Sequence, residues 1–239
     1  MSNGRRWAMM KPSLLFGNDL SLQPSQRNLL FESAQLPIHC WLEHLSCGTG
    51  LERFSSGQWE EILLIQGELD CNQNVCKDIY LCLPPQQSAP PFCAGNSGAV
   101  FLRLIFGSEL RKNNGQGVVA QGKAAVEIVD FGHLTWNEIP ARRANDPGAR
   151  IAELSTNASR TRITSLMDCR PGWLLDDHDH PSDVLTFCVR GGGTLGVETQ
   201  SSAYDAGHLV AIPAGVQHRF ETGNEGAFLV VFVSESFLR

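Results

Sequence analysis

The chain repeats itself. Phe92-Cys93-Ala94-Gly95-Asn96-Ser97-Gly98-Ala99 leads into the apolar run Val100–Phe106, and Phe220-Glu221-Thr222-Gly223-Asn224-Glu225-Gly226-Ala227 leads into Phe228–Val233. Phe, Gly, Asn, Gly and Ala recur at a constant offset of 128 residues, and both copies then pass into similar polar patches, Gly107–Arg111 and Ser234–Arg239. Self-similarity in register with matching apolar flanks marks a tandem duplication, so each half must enclose its own core. Upstream, Trp59–Gly67 stands where the second copy has Asp183–Gly191, each a short apolar run closed by glycine. Such runs read as buried strands entering turns. Apolar segments of this length, separated by Gly, Pro, Asn and Asp, belong to sandwiches and barrels rather than helical folds. The expected fold is all-β, with one barrel in residues 1–115 and another in 116–239. The expected join lies in Leu110–Gly122, around the polar, glycine-rich Lys112–Gly117.

Composition excludes several classes. With 42% hydrophobic residues the chain has ample material for packed cores, which excludes general disorder. A net charge of -6 argues against a nucleic-acid partner, which needs a basic face. The longest clean apolar run, Ala227–Val233, is far short of the roughly 20 residues of a spanning helix. Arg5 and Arg6 precede Trp7–Met10 in the manner of a secretion signal, but Lys11 and Pro12 interrupt the run and no small-residue cleavage site follows. The N-terminal segment reads as disordered or loosely docked, and the expected location is the cytoplasm. The 8 cysteines form no C-x-x-C pair and are too few for a disulfide framework in a chain of this length, so they read as buried free thiols.

Three of the 7 histidines form a pattern with a mechanism. His178 and His180 lie two apart, so on a strand they project from one face while Asp177 and Asp179 point away. Gly207, Pro213-Ala214-Gly215 and His218 follow, and the Pro-x-Gly turn starts a strand that brings His218 across from the pair. Three convergent imidazoles suit a divalent transition metal, iron or zinc foremost, with nickel or manganese as alternatives. The competing reading places these histidines on an acidic surface loop with Asp176, Asp177, Asp179 and Asp183. A second ligand-like cluster, His39-Cys40-x3-His44-x2-Cys47, falls on an alternating segment that splits its groups between two faces, and it reads as a buried strand.

Gly172-x5-His178-x-His180 and Gly207-x5-Pro213-x-Gly215-x2-His218 resemble the two cupin motifs. The first copy, through Glu60–Asp70 and Pro84-Pro85, looks like the cupin of ChrR-type anti-sigma factors, so nearly the whole chain resembles a bicupin. The resemblance implies a jelly-roll barrel in each half and a metal held by His178, His180 and His218. This sequence departs from the motif at the glutamate ligand, whose slot is Val184, with Asp183 adjacent but facing the other way. The first copy keeps Glu60 there, yet its His-x-His slots are Phe54 and Ser56, and its later slot is Ala89 or Pro90. The first barrel is therefore expected to lack a metal.

A three-histidine site leaves the metal its full charge and open positions, which favours a small anionic chelating ligand. The expected function is a metal-dependent oxygenase acting on a diketone-like or aromatic carbonyl compound, resembling three-histidine cupins that cleave β-diketones. Val184, Leu185, Phe187 and Phe220 are the expected pocket walls. Asp176, Asp183 and Arg219 flank the site and read as solvated surface charge. The rival reading is a ChrR-like regulatory or sensor module that binds a small ligand or a protein without turnover. No N-terminal zinc domain is legible, so a sigma factor is not the expected partner; the resemblance allows a homodimer.

Overall fold

The computed structural model describes residues 8–10, 27–32, 38–52, 57–71, 74–85, 87, 91–106, 126–139, 147–156 and 162–234. In chain order the strands begin β1 (Ala8–Met10), β2 (Arg27–Glu32), β3 (Ile38–Leu45), β4 (Trp59–Cys71), β5 (Asn74–Cys76), β6 (Ile79–Leu83), β7 (Phe92–Phe106) and β8 (Glu127–Asp130). They continue with β9 (Asn137–Ile139), β10 (Ala149–Thr156), β11 (Arg162–Cys169), β12 (Leu174–His178), β13 (Asp183–Val197), β14 (Gln200–Asp205), β15 (Leu209–Ile212) and β16 (His218–Ser234). One turn of 3-10 helix, Phe131–His133, is the single helical element among the described residues. No helix there is long and apolar enough to cross a membrane. The fold is all-β, with two tandem jelly-roll barrels, as the duplication predicts.

The strands form two antiparallel sheets, β1-β15-β13-β16-β11-β10-β9 with β12 and β14 attached, and β2-β3-β7-β4-β6-β8 with β5 attached. The first barrel comprises Ser21–Leu134 and the second Met1–Leu20 with Thr135–Arg239. The join expected at 115/116, and the polar patches that close each repeat beyond Ser234 and Phe106, lie outside the described residues. On either side of that join, β8 pairs with β6 of the first barrel, while β1 pairs with β15 of the second. Residues 8–10 are therefore not a loose N-terminal start: Ala8, Met9 and Met10 stand opposite Ala211, Val210 and Leu209.

The duplication is exact at the level of strand register. In the first barrel β4 pairs with β7 so that Glu60 meets Ile105, Ile62 meets Arg103 and Cys71 meets Phe92. In the second, β13 pairs with β16 so that Val184 meets Val233, Thr186 meets Val231 and Leu195 meets Phe220. Each pair of long strands turns a corner at the same glycines. Gly67 and Gly191 have φ of 88° and 72°, and a Cβ on either would lie 2.1 Å from the carbonyl oxygen of Gly98 or Gly226. Only a residue without a side chain permits this approach of two backbones. Beyond the corner, β16 changes partners. Ala227–Ser234 runs beside β11 and the first half of β13, and His218–Glu221 runs beside β12 and the second half of β13. The sheet thus folds over on itself and encloses an interior.

That interior holds Trp173, Val184, Cys188, Leu195, Val197, Tyr204, Val210, Ile212, Val216, Phe220 and Leu229 in the second barrel. The first barrel packs Leu45, Ile62, Leu64, Leu81, Phe92 and Phe101 in the same way. Burying each such side chain contributes about 1.5–3 kcal/mol. Phe92 and Phe220, the first matched residues of the repeat, are both buried in their barrels' cores.

Candidate metal centre

β12 and β16 are antiparallel neighbours, and His178 stands directly opposite His218 in their register. His180 lies just past the end of β12, two residues on, and turns to the same side. The three rings meet at centroid separations of 4.8 Å (His178–His180), 4.3 Å (His178–His218) and 5.2 Å (His180–His218). One ring nitrogen from each lies within 4.8 Å of the others. No other group of three His, Cys, Asp or Glu side chains converges in this way among the described residues. The expected convergence of the three histidines is therefore what the fold produces.

The backbone decides which nitrogens are free. His178 Nδ1 lies 2.8 Å from the Asp176 carbonyl oxygen, and His218 Nδ1 lies 2.9 Å from that of Val216. A carbonyl only accepts, so each Nδ1 carries the proton and each Nε2 keeps its lone pair. This is the arrangement that fixes the tautomer of metal-ligating histidines. Burial lowers the pKa of His218 to about 4; the Val216 bond opposes the shift, and the neighbouring imidazoles add to it. Burial, then the charge of His178, lowers that of His180, with Asp179 opposing. Both rings are neutral at pH 7 and ready to donate lone pairs. His178 Nε2 and His180 Nε2 are 3.2 Å apart. Two nitrogens each about 2.1 Å from one metal lie about 3.0–3.4 Å apart, so this pair already has the spacing of ligands to a divalent transition metal.

The surroundings are apolar. Phe220 meets the His218 ring edge-on at 5.9 Å, and Tyr204 meets Phe220 at 5.6 Å. Val184, at the vacant glutamate slot, is 3% exposed and belongs to the same interior cluster as Val197, Ile212, Val216 and Phe220. The expected wall residues divide between two faces. Leu185 and Phe187 alternate with Val184 and Cys188, so they point out of the barrel interior, on the side of Ala211, Leu209, Phe232 and Val230. They are buried, but they are not walls of this site. Leu195 and Val197 take their place, because Leu195 lies opposite Phe220 and Val197 opposite His218. The sequence signal for them was the register implied by the repeat, which places Leu195 where the first copy has Cys71.

Asp183 is likewise not surface charge. It is fully buried, and its Oδ1 accepts the Ala214 N–H at 2.7 Å. Asp176 contributes its backbone carbonyl to His178, and Arg219 is exposed. The His39–Cys47 cluster does not converge. Cys40 is buried, its thiol pushed up to about 12 by that burial, while Cys47 is exposed and His39 lies 3.5 Å from Glu32. Seven cysteines are free thiols: Cys40, Cys82, Cys169 and Cys188 are buried, Cys76 is half-buried, and Cys47 and Cys93 are exposed.

In the first barrel Glu60 occupies the register position of Val184, and it is fully buried. Its Oε2 accepts from Arg103 Nη1 at 2.7 Å. Arg103 Nε donates to Glu43 at 2.8 Å, and Glu43 also receives Arg27 Nε at 2.6 Å. A guanidinium thus engages the carboxylate that the motif assigns to a metal. Phe54, Ser56, Ala89 and Pro90 lie outside the described residues.

Two antiparallel β barrels, one of which brings three histidines together, make a cupin architecture. Residues 124–236, just under half of the chain, match the ChrR cupin-like domain family, in keeping with the cupin fold. Curated relatives include the acireductone dioxygenase of Gluconacetobacter diazotrophicus, 31% identical over 83 residues, covering 33% of this chain and 44% of that protein. That of Acidiphilium cryptum is 33% identical over 61 residues, covering 24% of this chain and 34% of its own length. The chain thus spans less than half the length of these relatives. Among solved structures, protein Ylba of E. coli superposes with a TM-score of 0.66 at 12% identity, covering 96% of this chain and 91% of that one. A salicylate 1,2-dioxygenase from Pseudaminobacter salicylatoxidans gives 0.58 at 11%, covering 88% and 76%.

Proposed function

We propose that the second barrel is a three-histidine, metal-dependent oxygenase site for a small chelating carbonyl compound, diketone-like or aromatic. The observation that carries this reading is the donor set itself: three convergent imidazoles with no carboxylate among the described residues of the group. A divalent metal bound there would supply Lewis-acid chemistry and, if iron, redox chemistry towards dioxygen. His178, His180 and His218 bring no negative charge, so the ligand that completes the site is favoured as an anion such as an enolate. Val184, Leu195, Val197, Ile212 and Phe220 exclude water and accept an uncharged, apolar remainder. The local similarity to acireductone dioxygenases supports oxygen chemistry at such a centre.

The test is elemental analysis of protein produced in iron-supplemented medium, followed by oxygen uptake with a panel of β-diketones and catechols. About one equivalent of metal and uptake with at least one of these compounds are expected, and His178→Ala should lose both. Protein without stoichiometric metal would sink the reading. The match to the ChrR cupin-like family favours a second reading, a sensor that binds the same ligand class without turnover. Ligand-induced spectral change of the metal-loaded protein without oxygen uptake, or capture of a sigma factor in a pulldown, would favour that alternative.

A further inference from the structure

The turn Pro213–Val216 holds two of the three histidines, His180 and His218, through its backbone. The Val216 N–H donates to the Pro213 carbonyl at 3.2 Å, and Gly215 has φ of 74°, the pattern of a type II turn. The Gly215 N–H donates to the carbonyl of His180 at 2.8 Å. The Val216 carbonyl accepts the Nδ1 proton of His218 at 2.9 Å. One residue of the turn remains, and its N–H is held from outside: Ala214 N donates to Asp183 Oδ1 at 2.7 Å across the buried start of β13. Asp183 itself is 0% exposed.

From this geometry we infer that Asp183 is a positioning residue of the metal centre, holding the turn that aims His180 and His218. The inference rests on the proposed metal site and adds a residue to it. Asp183 acts through its hydrogen bond to the Ala214 N–H, on a turn whose next two residues fix one ligand's main chain and another ligand's ring. A shift of the turn moves both ligands relative to His178, which is held separately by the Asp176 carbonyl. Changes to groups that orient ligands in this way typically cost about 10–100-fold in metal affinity.

The test is cobalt(II) titration of the full chain, read as dissociation constant and as the visible ligand-field spectrum, with the metal-free melting temperature measured alongside. Asp183→Asn keeps an acceptor oxygen for Ala214 and should retain the wild-type spectrum. Asp183→Ala should bind cobalt about 10–100-fold more weakly, with an altered spectrum. Ala214→Pro breaks the same bond from the donor side, since proline suits the second position of a type II turn and has no N–H. It should reproduce the cobalt defect, and it carries the test should Asp183→Ala fail to fold. Wild-type affinity and spectrum in Ala214→Pro would overturn the inference, as would an Asp183→Asn defect equal to that of Asp183→Ala. Failure of the wild-type protein to bind cobalt would instead overturn the metal site itself.

Discussion

Val184 gives the second barrel its character, because it puts a buried methyl pair where the cupin motif has a carboxylate. Restoring the acid by Val184→Glu should tighten metal binding by adding a charged ligand, and weaken anionic ligands by taking a position and a charge they need. Isothermal titration with zinc, then with a catechol on the loaded protein, reads both effects. Unchanged values would mean that residue 184 does not face the metal. Without metal the variant buries an unpaired carboxyl, so its melting temperature should fall below wild type and recover on loading. His218 gives a pH dependence with a definite sign. In the unfolded chain its imidazole protonates near 6.5, and in the folded chain only at about 4. Between those values the unfolded state binds more protons. The metal-free protein should therefore lose stability as pH falls from about 6.5 to about 4, and this contribution should level off below. Melting curves in chelator-treated buffer read this, and His218→Gln should flatten the slope. The convergence of the three histidines was legible from spacing, since an i, i+2 pair on a strand shares one face and the Pro-x-Gly turn marks the start of the strand that carries His218. Asp183 was not, because its burial depends on which strand crosses above it. Leu185 and Phe187 differ for a simpler reason: on a strand they share one face and Val184 stands on the other.

The long strands depend on their corners. Gly191 lies in the left-handed region and against the Gly226 carbonyl, so Gly191→Ala meets both a backbone penalty of about 1–2 kcal/mol and a clash that the backbone must relieve by moving. Gly223→Ala, whose added methyl would find its nearest neighbour 3.5 Å away at the Gly192 carbonyl, is the control and should cost far less. Urea denaturation of the two variants should rank them in that order. An equal effect would mean that the corner is more compliant than its geometry indicates. The equivalence of β4 with β13 and of β7 with β16 was readable in the sequence because the closing glycines recur in both copies. Side-chain alternation then followed from one register. The short strands β1, β8 and β9 left no such trace: three or four residues give too little periodicity to separate a strand from a loop.

The two barrels have diverged in what they place at their centres. In one, histidines gather lone pairs around an apolar interior. In the other, Glu43 and Glu60 surround the guanidinium of Arg103, which is itself fully buried. Metal content should therefore be one per chain, and two by elemental analysis would mean that a site in the first barrel had escaped notice. Arg103→Met leaves Glu43 and Glu60 without that guanidinium and should destabilise the protein by about 3–5 kcal/mol, as breaking one side of a buried ion pair does. Chemical denaturation monitored by tryptophan fluorescence measures the loss, while metal at the second barrel should stay at one equivalent.

The pairing of Ala8–Met10 with Leu209–Ala211 means that the second barrel draws on chain from both sides of Ser21–Leu134. Topologically the first barrel is nested within the second, like a parenthesis in a sentence. During synthesis the nested barrel is complete while β15 is still unmade, so the strand at residues 8–10 must wait through nearly two hundred residues of translation for its partner. A fragment beginning at residue 135 would carry all three histidines but leave the edge of β15 open to pairing with another chain.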